Sequence, residues 1–208
     1  MADIFDEINE DMKRDRAQQV WARYGKYVVG TALAVIAVVG GIQGFDSWKR
    51  SQAQAAATLY YQSLAAEDAP AALSDVMGDL TSGYALMGRF QLAAGLAAGG
   101  DLGGAEAAYD ALAADTSIAP LYQQAALLMA VMNAPEGSDA GALQDKLAPL
   151  VDADGPWQPL ALELSVALDL QSGNKAAALT KLEVLEKLET APNELRQRAA
   201  RLSGVLNS

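Results

Sequence analysis

The chain has no cysteine and no histidine. Without cysteine there is no disulfide, no thiol nucleophile and no thiolate metal site, although the redox compartment stays open. Without histidine the commonest general base and the commonest transition-metal ligand are missing. Positive charge is scarce: 15 Lys and Arg stand against 26 Asp and Glu, a formal net charge of −11. That balance argues against a nucleic-acid backbone as partner. No Walker loop, GxGxxG, GxSxG or HExxH occurs. Alternating apolar and polar runs long enough for strands are absent, and β-branched residues are sparse outside one segment. Abundant alanine favours helices with closely approaching axes instead.

That one segment is Tyr27 to Phe45, YVVGTALAVIAVVGGIQGF, uncharged and bounded by Lys26 and Asp46. As a helix its 19 residues (45 − 26) span roughly 28 Å, close to the hydrocarbon thickness of a bilayer. Lys13, Arg14, Arg16, Arg23 and Lys26 precede it, whereas only Lys49 and Arg50 follow closely and the next base is Arg89. The positive-inside rule then puts the N-terminus in the cytoplasm and the long C-terminal part across the membrane, in the periplasm of a Gram-negative cell. Trp21, Tyr24 and Tyr27 on one side, with Phe45 and Trp48 on the other, suit interfacial belts. A cleaved signal peptide is the competing reading. The six acids among the first fifteen residues, the length of the run and the lack of a cleavage motif count against it. Gly40 and Gly44 form a GxxxG through which another membrane helix could pack closely. Upstream, Ile4, Phe5, Ile8 and Met12 recur at helical spacing, as in a short amphipathic helix at the membrane surface. Three regions follow: a cytoplasmic amphipathic segment (1–26), a transmembrane helix (27–45) and a periplasmic domain (46–208).

From Ser51 onward helical runs alternate with Gly, Pro and Asn breaks. Helices are predicted over 51–67, 71–80, 84–98, 104–114, 120–132, 139–151, 159–171, 175–189 and 193–206, so the fold class is all-α. GGDLGGAEAAYDAL (99–112) and SGNKAAALTKLEVL (172–185) align without gaps. Each has a helix-ending glycine, a polar turn residue (Asp101, Asn174), a small residue (Ala105, Ala178) and a bulky one four further on (Tyr109, Leu182). The offset of 73 (173 − 100) is about twice a 34-residue repeat plus a few residues. Residues 120–151 fit as a degraded copy, with Gly137 at the turn and Ala142 at the small position.

These units resemble tetratricopeptide repeats, without the consensus tryptophan and Leu-Gly pair; an unrelated α-solenoid or helical bundle is the alternative. Over its full length the chain resembles the YfgM-like family, ancillary subunits of the Sec translocon. The local carriers are MKRDRAQQVWARYGKYVVG (12–30) and Trp48-Lys49 leading into an Ala/Gln-rich helix. The resemblance implies one transmembrane helix followed by a tetratricopeptide-like α-solenoid of helical hairpins. It further implies contact with the translocon, periplasmic chaperones or exported chains. It carries over no binding residues.

Stacked hairpins build a concave surface lined by their first helices. On the repeat register Met87 and Phe90 line it early, and Leu160 and Glu163 late; large apolar residues at such spacing also serve as core. Trp157 beside Pro156 opens a helix or staples two repeats. Asp152 and Asp154 read as turn residues rather than a catalytic pair. Asp101, Asp110 and Asp115 lack EF-hand spacing and read as a solvated face. No catalytic, cofactor or metal residue is assigned. The sequence is best read as a membrane-tethered scaffold, or as an assembly factor for another membrane complex bound through Gly40 and Gly44. A periplasmic enzyme or small-ligand receptor is the outlying class.

Overall fold

The computed structural model describes residues 3–208, and side-chain surroundings from Trp21 onward, Val28 excepted. Every element among the described residues is helical. The face formed by Ile4, Phe5, Ile8 and Met12 lies outside the described side chains. Two compact units divide the chain at Met1–Ala55 and Ala56–Ser208.

In the first unit the described backbone, from Asp3, belongs to α1 (Asp3–Leu64), with no break at either edge of the apolar run. This is the one helix among the described residues long and apolar enough to cross a membrane. Leu33, Ile36 and Ile42 are exposed, as side chains meant for lipid would be. At its edges Lys26 Nζ lies 5.2 Å from the Tyr27 ring centre, and Lys49 Nζ lies 4.6 Å from that of Phe45. Each long cationic side chain thus lies along an aromatic face.

The second unit is a row of helical hairpins. The end of α1 shares an apolar cluster with α2 (Ala69–Val76) and a 3₁₀ turn, Met77–Asp79. Then α3 (Ser82–Ala98) pairs with α4 (Leu102–Ala113), α5 (Pro120–Met132) with α6 (Ala140–Val151), and α7 (Gln158–Gln171) with α8 (Lys175–Lys187). A final helix, α9 (Asn193–Asn207), packs against α8. Each hairpin encloses its own apolar cluster. The successive clusters centre on Leu73 with Tyr60, Tyr109 with Leu112, Leu147 with Leu150, and Leu182 with Leu185. Burial of each such leucine contributes about 2 kcal/mol, so the stability is spread along the row rather than held in one centre.

The helix ends follow from local chemistry. Asp68, Asp101 and Asp139 each cap the helix they precede by accepting backbone N–H bonds, from Ala71, from Gly104, and from Gly141 and Ala142. Gly100 (φ +87°) and Gly173 (φ +75°) end α3 and α7 in the left-handed region. The Asp101 N–H donates back to the Leu96 carbonyl at 2.9 Å, and Asn174 N–H to that of Asp169 at 2.7 Å. These are two copies of one Schellman cap, at the two glycines where the internal alignment was sharpest.

The middle repeat departs from the expected register. Gly137 (φ +85°) sits well past the end of α5, in a turn closed by Ser138 N–H to the Pro135 carbonyl. The helix therefore starts one residue later relative to its glycine, and Ala142 is exposed. Leu143, Leu147 and Leu150 are the buried counterparts of Ala105, Tyr109 and Leu112. A leucine at the small position holds the two helices apart, and α5 packs more extensively on α4 than on α6. The other small positions are fully enclosed: Ala93 with Ala105 in one hairpin, Ala178 beside Val166 in the last.

Candidate functional site

The first candidate surface is built on α3. A Cβ on Gly88 would lie 2.9 Å from the methyl at the flexible end of Met77, so with glycine there the 3₁₀ turn rests closely against α3 without that side chain having to shift. With that side of α3 filled, Tyr84, Met87, Gln91 and Ala94 recur at i, i+3, i+7 and i+10 and face a groove of about 720 Å³. Tyr60 enters from the end of α1, Tyr109 from α4, and Tyr122 and Met129 from α5. The first helices of three successive hairpins thus line one surface, with Tyr109 filling between them.

Its floor and rim differ. Tyr60 and Tyr109 are 5% and 4% exposed, whereas Met87, Tyr122 and Met129 are 48%, 47% and 38% exposed. Tyr60 and Tyr84 have ring centres 5.6 Å apart, and Phe90 and Tyr109 6.1 Å. Burial pushes both floor phenols above their ordinary pKa, with Tyr61 adding to the effect at Tyr60. They are neutral at physiological pH. Among the described residues, no Asp, Glu, Lys or Arg lines the groove. It can seat apolar and aromatic groups and offer phenol or amide hydrogen bonds.

Of the residues expected on the concave surface, Met87 and Phe90 meet in this groove. Leu160 and Glu163 are placed elsewhere. Leu160 is exposed on α7, outside this groove, and Glu163 borders a separate pocket of about 220 Å³ among α7, α8 and α9. There the Glu163 carboxylate accepts from Arg198 Nε at 2.7 Å, joining α7 to α9. Tyr60, Tyr84, Tyr122 and Met129 were not expected on this surface, and Tyr109 was read only as the bulky position of its repeat. The available signal was compositional: five of the seven aromatic residues after Ala55 belong to this one groove.

In the apolar segment of α1, a Cβ at Gly40 or Gly44 would meet nothing within 4 Å, and both residues are exposed. The face they share on α1 is bare.

The acids read as a solvated face have specific tasks. Asp101 caps α4. Asp110 and Glu106 receive Lys146 Nζ at 2.7 and 2.6 Å, tying α4 to α6. Burial pulls the Lys146 ammonium down, but its bonds to Asp110 and Glu106 outweigh that and raise its pKa. Asp115 accepts from the Ser117 hydroxyl and N–H and from Arg89. Those bonds, the Ser117 hydroxyl's first, lower its pKa to about 2. Asp152 is the C-cap of α6.

A second polar group lies deeper. Asp169, 6% exposed on α7, receives Lys181 Nζ at 2.6 Å and Gln144 Nε2 at 3.1 Å. Gln144 also donates to the Ser165 carbonyl and accepts from the Ser165 hydroxyl. Four side chains on α6, α7 and α8 therefore satisfy one another, fixing how the last hairpin sits on the third. Trp157 does similar work across repeats by donating Nε1–H to the Leu121 carbonyl at 3.1 Å. Among the described residues no three acids lie close enough together to hold a metal ion.

The sequence profile of a family described as a tetratricopeptide repeat-like domain matches residues 18–153. This covers the apolar segment and the hairpins up to α6. No curated protein and no solved structure matches the chain.

Proposed function

Because the chain belongs to the tetratricopeptide repeat-like domain family, we propose that it is a non-enzymatic scaffold tethered to the bacterial inner membrane by α1. Its repeat unit would face the periplasm, close to the Sec translocon, and bind exported chains or folding factors. One observation carries this reading: an exposed groove of aromatic and methionine side chains, drawn from three successive hairpins, follows a helix able to span a bilayer. The excess of basic residues before that span supports a cytoplasmic N-terminus. The YfgM-like layout of short charged segment, span and repeats supports the translocon as neighbour. Tethering supplies the mechanism, since a weak groove acts at high effective concentration on partners confined to the same membrane.

Photo-crosslinking in cells from Met87 and Met129 tests it. The expected result is capture of a translocon subunit, a folding factor or an exported chain. Capture of none of these overturns the proposal. A C-terminal alkaline phosphatase fusion is expected to be active; an inactive fusion beside a working cytoplasmic reporter reverses the orientation. The bare glycine face at Gly40 and Gly44 favours a second reading, an assembly factor held to another membrane complex through that face. Replacing both glycines by leucine would then abolish co-purification of the complex while leaving groove crosslinks intact.

A further inference from the structure

The groove lies in the half of the repeat unit that carries nearly all its excess charge. Residues 56–145 hold one cation, Arg89, against eleven acids, a net −10; residues 146–208 hold seven cations against eight acids, a net −1. Every residue lining the groove falls in the first stretch. Its single cation is already engaged by Asp115, and Lys146, next along the chain, by Glu106 and Asp110.

From this juxtaposition we propose that the groove receives a protein segment bearing an apolar or aromatic anchor flanked by lysine or arginine. The inference rests on the scaffold reading above and adds the chemistry of the partner. The anchor would lie against the Tyr60 and Tyr109 floor, where burial of apolar area supplies the attraction. Its flanking cations would meet the faces of Tyr84, Phe90 and Tyr122, which attract positive charge. Beyond contact distance, the eleven acids of residues 56–145, three of them paired with Arg89 or Lys146, would still give this stretch a net negative field, screened over about 8 Å at physiological salt. An acidic segment would meet that field with no lysine or arginine in the lining to receive it. A neutral one would gain the burial alone. Met87 and Met129 at the rim can repack around different anchors, so recognition would be by class rather than by one sequence. The open shape admits a chain passing through, and the lining lacks the convergent charged groups that orient a small polar metabolite.

The experiment uses the full chain in zwitterionic lipid nanodiscs, with empty nanodiscs as control. Three short labelled peptides of equal length share the same Leu, Phe and Met anchors, flanked by Lys, by Ser or by Glu. Fluorescence anisotropy is expected to show the Lys-flanked peptide binding about tenfold tighter than the Glu-flanked one at ~50 mM salt, the gap closing at ~500 mM. Met87→Lys, at an exposed position, is expected to weaken the Lys-flanked peptide most while far-ultraviolet circular dichroism stays unchanged. Equal affinities for the three peptides would overturn the charge inference and leave the scaffold reading standing. Binding insensitive to Met87→Lys would overturn the location. Absence of binding above empty nanodiscs would overturn the inference outright, the crosslinks from Met87 deciding the scaffold reading separately. Concentration-dependent self-association abolished by Met87→Lys would overturn it too, giving the groove to a second copy.

Discussion

The middle hairpin offers the sharpest quantitative test, because two adjacent residues exchange roles between the repeat alignment and the structure. Leu143 is 7% exposed in the cluster of Leu147 and Leu150, while Ala142 points to solvent. Leu143→Ala removes three carbons, worth about 2.4 kcal/mol at ~0.8 kcal/mol for each, and leaves a void besides. The looser seating of α5 on α6 lets that void partly collapse, so the expected loss is about 2–3 kcal/mol, at the low end for buried Leu→Ala. Ala142→Leu adds an exposed side chain and should change stability by less than about 0.5 kcal/mol. The alignment-based register predicts the reverse, with Ala142→Leu overpacking the hairpin by ~1–3 kcal/mol. Urea unfolding of the full chain in detergent, followed by circular dichroism, gives the first measurement. Repeat arrays can lose two-state behaviour, so hydrogen exchange of the α6 amides is the second. If Ala142→Leu proves the more damaging change, the register described here is wrong.

Further perturbations separate the other interactions. Asp115 has its pKa lowered in the folded state to about 2. Its contribution is therefore fully present above the ordinary carboxylate range and is lost as pH falls from 3.8 through about 2. Thermal unfolding across that window should show a slope that Asp115→Asn reduces; an unchanged slope would refute the assignment. Asp169→Ala removes the carboxylate that Lys181 and Gln144 share, leaving Lys181 only the Gln144 carbonyl oxygen and Gln144 the Ser165 carbonyl; because Lys181 also retains some solvent the expected loss is about 2–3 kcal/mol, read by hydrogen exchange in α7 and α8. Lys146→Met leaves Glu106 and Asp110 facing each other and should cost about 1 kcal/mol, decreasing with added salt. Gly173→Ala forces a side chain into the left-handed region and should cost about 1 kcal/mol, whereas Gly204→Ala, inside α9 with open space around it, should stabilise slightly.

Much of the helical layout was legible because it depends on neighbours in sequence. Pro120 to Met132 is helical over the expected span, and the Gly100 and Gly173 caps lie where the two aligned stretches coincide. The span at 27–45 and the helix at 51–67 were read as separate elements, whereas α1 runs unbroken through both to Leu64. No Pro interrupts that stretch, and its alanines and glutamines are good helix formers, so the change from apolar to polar composition carried no conformational signal. Ala71 to Leu80 was expected as one helix but tightens into a 3₁₀ turn at Met77, where Gly88 lets the chain approach α3. That contact is made across eleven residues and has no local signature.

The sequence by itself determined a helical chain without thiol or imidazole chemistry, one apolar run long enough for a bilayer, and two glycine-capped hairpins a fixed distance apart. Each rests on backbone propensity, capping or total composition, which act over a turn or two of helix. Tertiary structure alone decided which residues face one another. The extra residue after Gly137 moved Leu143 to the position where Ala142 was expected. Asp101, Asp110 and Asp115, similar in sequence, became a cap and two different ion-pair partners. Tyr60, Tyr84, Phe90, Tyr109 and Tyr122 come from four helices and share no spacing, yet they line one groove. Such meetings depend on loop length and on the volumes packed between helices, quantities that sum over the whole fold and leave no mark at any single position.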